Sequence, residues 1–173
     1  MLLVVATCIF AACTSSKPAL LNQEVTREEG KPILLGKCTR EGMLREPHRK
    51  WFNSEYQGYK VDQSLLDMAK PYLKDVDIML FMGTWCSDSR REVPHFYRIL
   101  DYLKFREKKL LVVNLDNHPD HRKQSPQHEE QGWNIEYVPT FVFLKNGKEI
   151  GRIVEEPLVS LEADMMAILK KTD

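Results

Sequence analysis

The chain has no surplus of either charge, since 25 Lys and Arg stand against 25 Asp and Glu. It also lacks any Lys/Arg run, so nucleic acid is not an expected partner, nor is an acidic membrane surface held by charge. No apolar run reaches the about 20 residues needed to cross a bilayer. Cysteine is scarce, four in 173 residues, and no disulfide framework is expected to hold the fold. Metal-ligand spacings are missing too. His95, His118, His121 and His128 come with neither Cys-x-x-Cys nor His-Glu-x-x-His; they read as surface histidines, with no metal and no cofactor expected. What remains is the composition of a soluble globular domain, long enough for one core with short additions.

The longest apolar stretch is at the start. Leu2 to Ala12 is uncharged and interrupted by Thr7, which suits the core of a signal peptide. It ends in Phe10-Ala11-Ala12-Cys13, which resembles a bacterial lipobox. That resemblance implies a lipid on Cys13, a signal peptide over 1–12, and a membrane-anchored lipoprotein of the cell envelope facing the periplasm or exterior. The alternative is an ordinary cleaved signal with Cys13 incidental. Residues 13–31 are polar and aperiodic and read as a flexible tether. On this reading Cys8 leaves with the signal, and Cys38 and Cys86 remain as thiols.

Residues 32–58 are expected to form a short N-terminal extension, with a strand at Ile33–Gly36 and a helix within Arg45–Tyr59 whose Phe52, Tyr56 and Tyr59 share a face. From Tyr59 the pattern alternates. Tyr59-Lys60-Val61 is a strand candidate, and Asp62 caps a helix carrying Leu65, Leu66, Ala69, Tyr72 and Leu73. Asp77–Met82 reads as a buried strand. Val93, Phe96, Tyr97, Leu100 and Leu103 then mark a helix to about Lys108. Leu110–Leu115 is a second buried strand, and Pro119–Gln131 a polar helix. Thr140–Leu144 and Glu149–Val154 flank Asn146-Gly147, a hairpin signal. A last helix carries Leu158, Leu161, Met165, Ile168 and Leu169. The expected order, β-α-β-α-β-α-β-β-α, calls for an α/β fold with a mixed central sheet and helices on both faces.

The chemistry concentrates in GTWCSDSRREVP, Gly83 to Pro94. Cys86 follows a strand and opens a helix, where free N–H groups and the helix dipole favour a thiolate. Arg90 and Arg91 add positive charge nearby, Asp88 and Glu92 oppose it, and Ser89 is placed to donate a hydrogen bond to the sulfur. Trp85-Cys86, Pro94 eight residues on, Val138-Pro139-Thr140 and the Asn-Gly hairpin together resemble the thioredoxin-like superfamily over 59–173. WCSDSRREVP is most similar to its exported TlpA/ResA-type branch, whose helix begins W-C-x-x-C-[KR]-x-E-x-P. The resemblance implies a thioredoxin-like fold, a reactive Cys86, a cis-proline loop at Val138, Pro139 and Thr140 facing it, and supporting roles for Trp85, Asp88 and Glu92.

Two positions depart from that branch. The resolving cysteine is Ser89, and the buried acid that the family carries six residues before its first cysteine is Leu80. The implied activity is that of a thiol-disulfide oxidoreductase working through one cysteine. Its expected partners are exported proteins with disulfides or thiols, plus an external thiol reductant. Cys38 is either a distant resolving thiol or a small packed residue; bridging requires its Cα within about 7 Å of that of Cys86. The competing reading is a non-catalytic binding module that holds extended segments of exported partners.

Overall fold

A computed structural model describes residues 21–26 and 30–172. The signal-peptide reading and Cys13 lie outside these residues. In chain order the elements are β1 (Gln23–Val25), β2 (Ile33–Cys38), α1 (Arg40–Met43), α2 (Arg49–Gly58), α3 (Gln63–Ala69), β3 (Val76–Met82), α4 (Ser87–Tyr102), β4 (Leu110–Asn114), β5 (Thr140–Lys145), β6 (Lys148–Val154) and α5 (Leu161–Leu169). The six strands form one mixed sheet in the order β1-β2-β4-β3-β5-β6. Among the described residues only β3 and β4 pair in parallel, joined by the α4 crossover; β5 and β6 continue antiparallel from β3.

Most expected elements form for the expected reasons. The Asp62 carboxylate accepts the Leu65 N–H at 3.0 Å and caps α3. Asn146 and Gly147 sit at φ 52° and 76°, the left-handed pair a two-residue hairpin turn requires. Ser160 caps α5 by accepting the Ala163 N–H at 3.1 Å.

Side chains alternate across the sheet as the pleat dictates. Ile78, Leu80, Met82, Val112, Phe141 and Phe143 face one cluster, which also takes buried apolar side chains from each of α1 to α5. Phe81, Val113, Leu115, Val142 and Leu144 face the other, completed by Val138 and covered by Trp133 and Ile135.

Five expectations are corrected. Tyr59-Lys60-Val61 is an extended connection and no strand; it joins no sheet neighbour, and the Tyr59 ring is instead stacked on His95 at 4.2 Å. Gln23–Val25, in the stretch read as tether, is an edge strand templated by β2. The helix expected over Pro119–Gln131 is a single 3-10 turn, Pro119–His121, inside a long irregular segment. Pro126 has no N–H to give a helix, and local bonds occupy the backbone instead: the Asp116 and Gln124 main chains pair at 2.9 Å, and Ser125 Oγ accepts the Glu129 N–H at 2.9 Å. As a result the second sheet face carries this segment where a helix was expected. Finally, Leu158 lies ahead of α5 and is 95% exposed, because Asp164 accepts the Leu158 and Val159 N–H groups and holds that loop outside the helix.

The stretch 32–58 is built into the core. β2 pairs with β4 over Gly36–Cys38, and Phe52 of α2 lies buried in the helical cluster.

Candidate active site

Cys86 stands at the end of the β3 turn as the N-cap residue of α4, with extended φ −84° and ψ 131°. No side chain caps this helix, so the N–H groups of its first turn remain open toward the cysteine. The Cys86 thiol donates to the Val138 carbonyl at 3.1 Å, and the Val138–Pro139 peptide is cis. Thr140, at the start of β5, donates its hydroxyl to the Tyr137 carbonyl at 2.7 Å and ties off the same loop. The sulfur is half-buried, packed against the loop-covered face of the sheet.

Trp85 is anchored through its indole N–H to the Leu115 carbonyl at 2.8 Å. Its ring lies flat against Gly83, where a Cβ would come within 2.5 Å of the indole. Ser89 faces inward and is fully buried. Its Oγ accepts the Gly83 N–H at 3.2 Å, and no hydrogen bond links it to Cys86. The expectation that Ser89 donates to the sulfur is therefore corrected: its hydroxyl secures the turn that carries Cys86.

The charged residues divide differently from the sequence reading. Arg91 clamps three carboxylates: its Nε donates to Glu92 at 2.6 Å, its Nη1 to Asp88 at 3.0 Å, and its Nη2 reaches Glu156 at 3.5 Å. Glu92 is buried. Burial alone would raise its carboxyl, but contacts with His95 and Arg91 outweigh it and hold the group below the usual carboxylate range. Arg90 turns the other way and donates its Nε to the Thr84 carbonyl at 2.6 Å. Thr84 Oγ1 in turn accepts the Leu34 N–H at 3.1 Å. The active-site turn is thus tied to both α4 and β2. The family resemblance singled out Cys86 and the proline loop. Gly83, Thr84 and the triple contact of Arg91 carried no signal beyond a small residue ahead of a tryptophan and an Asp-x-x-Arg spacing.

Cys38 does not reach the site. Its side chain faces the helical cluster, while Cys86 packs on the opposite side of the sheet. Four residues of strand, about 13 Å, separate it from Leu34, the β2 residue bonded to Thr84. Burial pushes its thiol up to about 12. Cys38 is a packed residue and no resolving partner. Leu80 is fully buried among apolar neighbours on β3. Among the described residues, no group of three or more His, Cys, Asp or Glu side chains is placed to hold a metal ion, and no helix is long and apolar enough to cross a membrane.

No family model matches the chain. It is similar to plant thioredoxins: 29% identical over 89 residues to thioredoxin H9 of Arabidopsis thaliana, matching 51% of this chain and 56% of that protein. It is 32% identical over 88 residues to an H-type thioredoxin of Picea mariana, matching 51% and 62%. The fold is thioredoxin-like. A crystal structure of a Pseudomonas aeruginosa protein of unknown function superposes with a TM-score of 0.54 at 12% identity, over 75% of this chain and 87% of that one; that likeness concerns the fold alone. The chain spans about half the length of the curated relatives it matches, so their identity supports the thioredoxin-like assignment and leaves the activity to be argued from the site.

Proposed function

We propose that this thioredoxin-like domain is a thiol-disulfide oxidoreductase that works through Cys86 alone, in the manner of an exported TlpA/ResA-type protein whose site reads W-C-x-x-S. The observation that supports this most is the seat of the sulfur: an N-cap position on an otherwise uncapped helix, facing the Val138 carbonyl. When the thiol ionises, its bond to Val138 is lost and the first-turn N–H groups of α4 receive the charge.

The thiolate attacks one sulfur of a partner disulfide. That S–S bond breaks, and its electron pair leaves with the other partner sulfur, which takes up a proton. A mixed disulfide on Cys86 results. A hydroxyl cannot resolve it, and Ser89 is in any case turned toward Gly83. An external thiolate therefore attacks the Cys86 sulfur and releases the partner as a thiol, and a second external thiol frees Cys86. The net exchange reduces one partner disulfide and oxidises two external thiols.

The same proposal places the domain on a lipid tether at Cys13 in the cell envelope, acting on exported proteins. Trapping in intact cells tests it. Cys86 should capture partners as adducts that dithiothreitol dissolves, on a chain that takes up a fatty-acid label lost in Cys13→Ser. Capture that survives undiminished in Cys86→Ala would mean a binding module and end the redox reading.

A further inference from the structure

Charged side chains of both signs lie on the loops bonded to the Val138–Pro139 turn that faces Cys86. Tyr137, which immediately precedes the carbonyl bonded to Cys86, is half exposed, and Lys123 Nζ lies 4.9 Å from the centre of its ring. Lys123 is fixed there by its backbone: at φ 59° its N–H donates to the Asp116 carbonyl at 2.8 Å. Among the described residues no carboxylate pairs with its ammonium, which packs on the aromatic face. The loop after β6, which meets the same turn at Pro139, is acidic. The Glu155 N–H donates to the Pro139 carbonyl at 2.7 Å, and the next residue, Glu156, faces Arg91.

We infer that the Lys123–Tyr137 shelf reads a carboxylate beside the reacting sulfur, and that the partner is an extended protein segment whose cysteine is flanked by an acidic side chain on that side. The inference rests on the proposed thiol chemistry of Cys86. A cation held over an aromatic ring, next to the carbonyl that faces the sulfur, attracts a carboxylate within a residue or two of the partner's cysteine. Glu155, and Glu156 with the Asp88 and Glu92 carboxylates that outnumber its partner Arg91, disfavour the same group beside Pro139. The cation at Tyr137 and the acidic loop at Pro139 thereby set a direction for the bound segment, since reversing it would bring acid to acid. An exposed contact of this kind changes rates by about three- to five-fold and fades with salt.

The test uses the whole chain and short cysteine peptides carrying a thiopyridyl leaving group. The Cys86 thiolate attacks the peptide sulfur, the peptide–thiopyridyl S–S bond breaks, and pyridinethione departs with the electron pair and a proton. Peptides with Asp, Asn or Lys beside the cysteine are compared, in wild type and in Lys123→Gln and Lys123→Arg. The Asp/Asn rate ratio should be about three to five in wild type and Lys123→Arg, near one in Lys123→Gln, and should fall in high salt. A ratio that ignores Lys123 overturns the inference while leaving Cys86 reactive. If bis(carboxyethyl) disulfide beats bis(hydroxyethyl) disulfide in a Lys123-dependent way and the peptides show no difference, the protein segment is the wrong partner. Absence of any adduct with any peptide overturns the thiol chemistry itself.

Discussion

At the scale of single residues, the site is a turn held rigid from below so that one sulfur can be presented. Ser89 stands where a second thiol is expected, and its hydroxyl binds the backbone of Gly83. Gly83 is itself constrained, because the Trp85 indole fills the space its side chain would need. Gly83→Ala should therefore push Trp85 off the Leu115 carbonyl. The expected cost is about 1–3 kcal/mol, as for other overpacked sites, read as a lower urea midpoint, with a shifted indole N–H resonance and slower adduct formation at Cys86. An unchanged indole resonance would refute this account of the turn. The resemblance to the thioredoxin-like superfamily made Cys86, Trp85 and Pro139 legible in the sequence. The inward turn of Ser89 was not, since a serine three residues after a helix N-cap has either direction open to it until the Gly83 N–H is known to need a partner.

At the scale of elements, what the sequence concealed is mostly long-range pairing. Periodicity identified β3, α4, β4 and the β5–β6 hairpin because each buries one face or both. β1 has only three residues with no fully buried side chain, and its strand geometry comes from β2. The segment 115–139 shows the opposite failure. Its polar composition suited a solvated helix, but Ser125 gathers Glu129 and Glu130 within 2.7 Å of its hydroxyl, and Arg152 of β6 donates to the Trp133 carbonyl at 2.9 Å. These bonds make the segment a cover for the sheet, with Trp133 tilted over Phe81 at 6.4 Å. That placement also leaves Lys123 beside Tyr137, next to the turn that faces Cys86.

At the scale of the whole molecule, the pairing of β2 with β4 makes the N-terminal part integral to the core, a fact no local pattern in 32–58 announces. The elements are also cross-tied by charge. Arg40 binds Asp101 through two bonds of 2.7 and 2.8 Å, and Tyr56 donates to the same carboxylate. Burial would raise the Asp101 carboxyl, but Arg40 and Tyr56 hold it low. Glu92, Glu130 and Glu149 are likewise lowered, each by its own partners. Burial and the nearby Arg90 also lower the His48 imidazole, against the pull of Glu24. Every one of these groups binds protons more readily when unfolded, so their contribution is complete above the unfolded values and is lost as pH falls. Chemical denaturation should show stability declining gently below about pH 6.5 as His48 is called on to charge, then steeply below about pH 4. In His48→Asn the gentle part should flatten; stability that rises on acidification would contradict these assignments.

The central claim is that Cys86 acts without a resolving thiol, and the lifetime of its mixed disulfide measures this directly. The intact mass of the full chain is followed after one equivalent of a peptide carrying the thiopyridyl leaving group, which departs as the unreactive thione, with no other thiol added. The wild type should keep a single peptide on Cys86 throughout, while Ser89→Cys should shed it and settle two hydrogens lighter as an internal disulfide. A wild-type chain that clears its own adduct, or carries it on Cys38, would contradict the account.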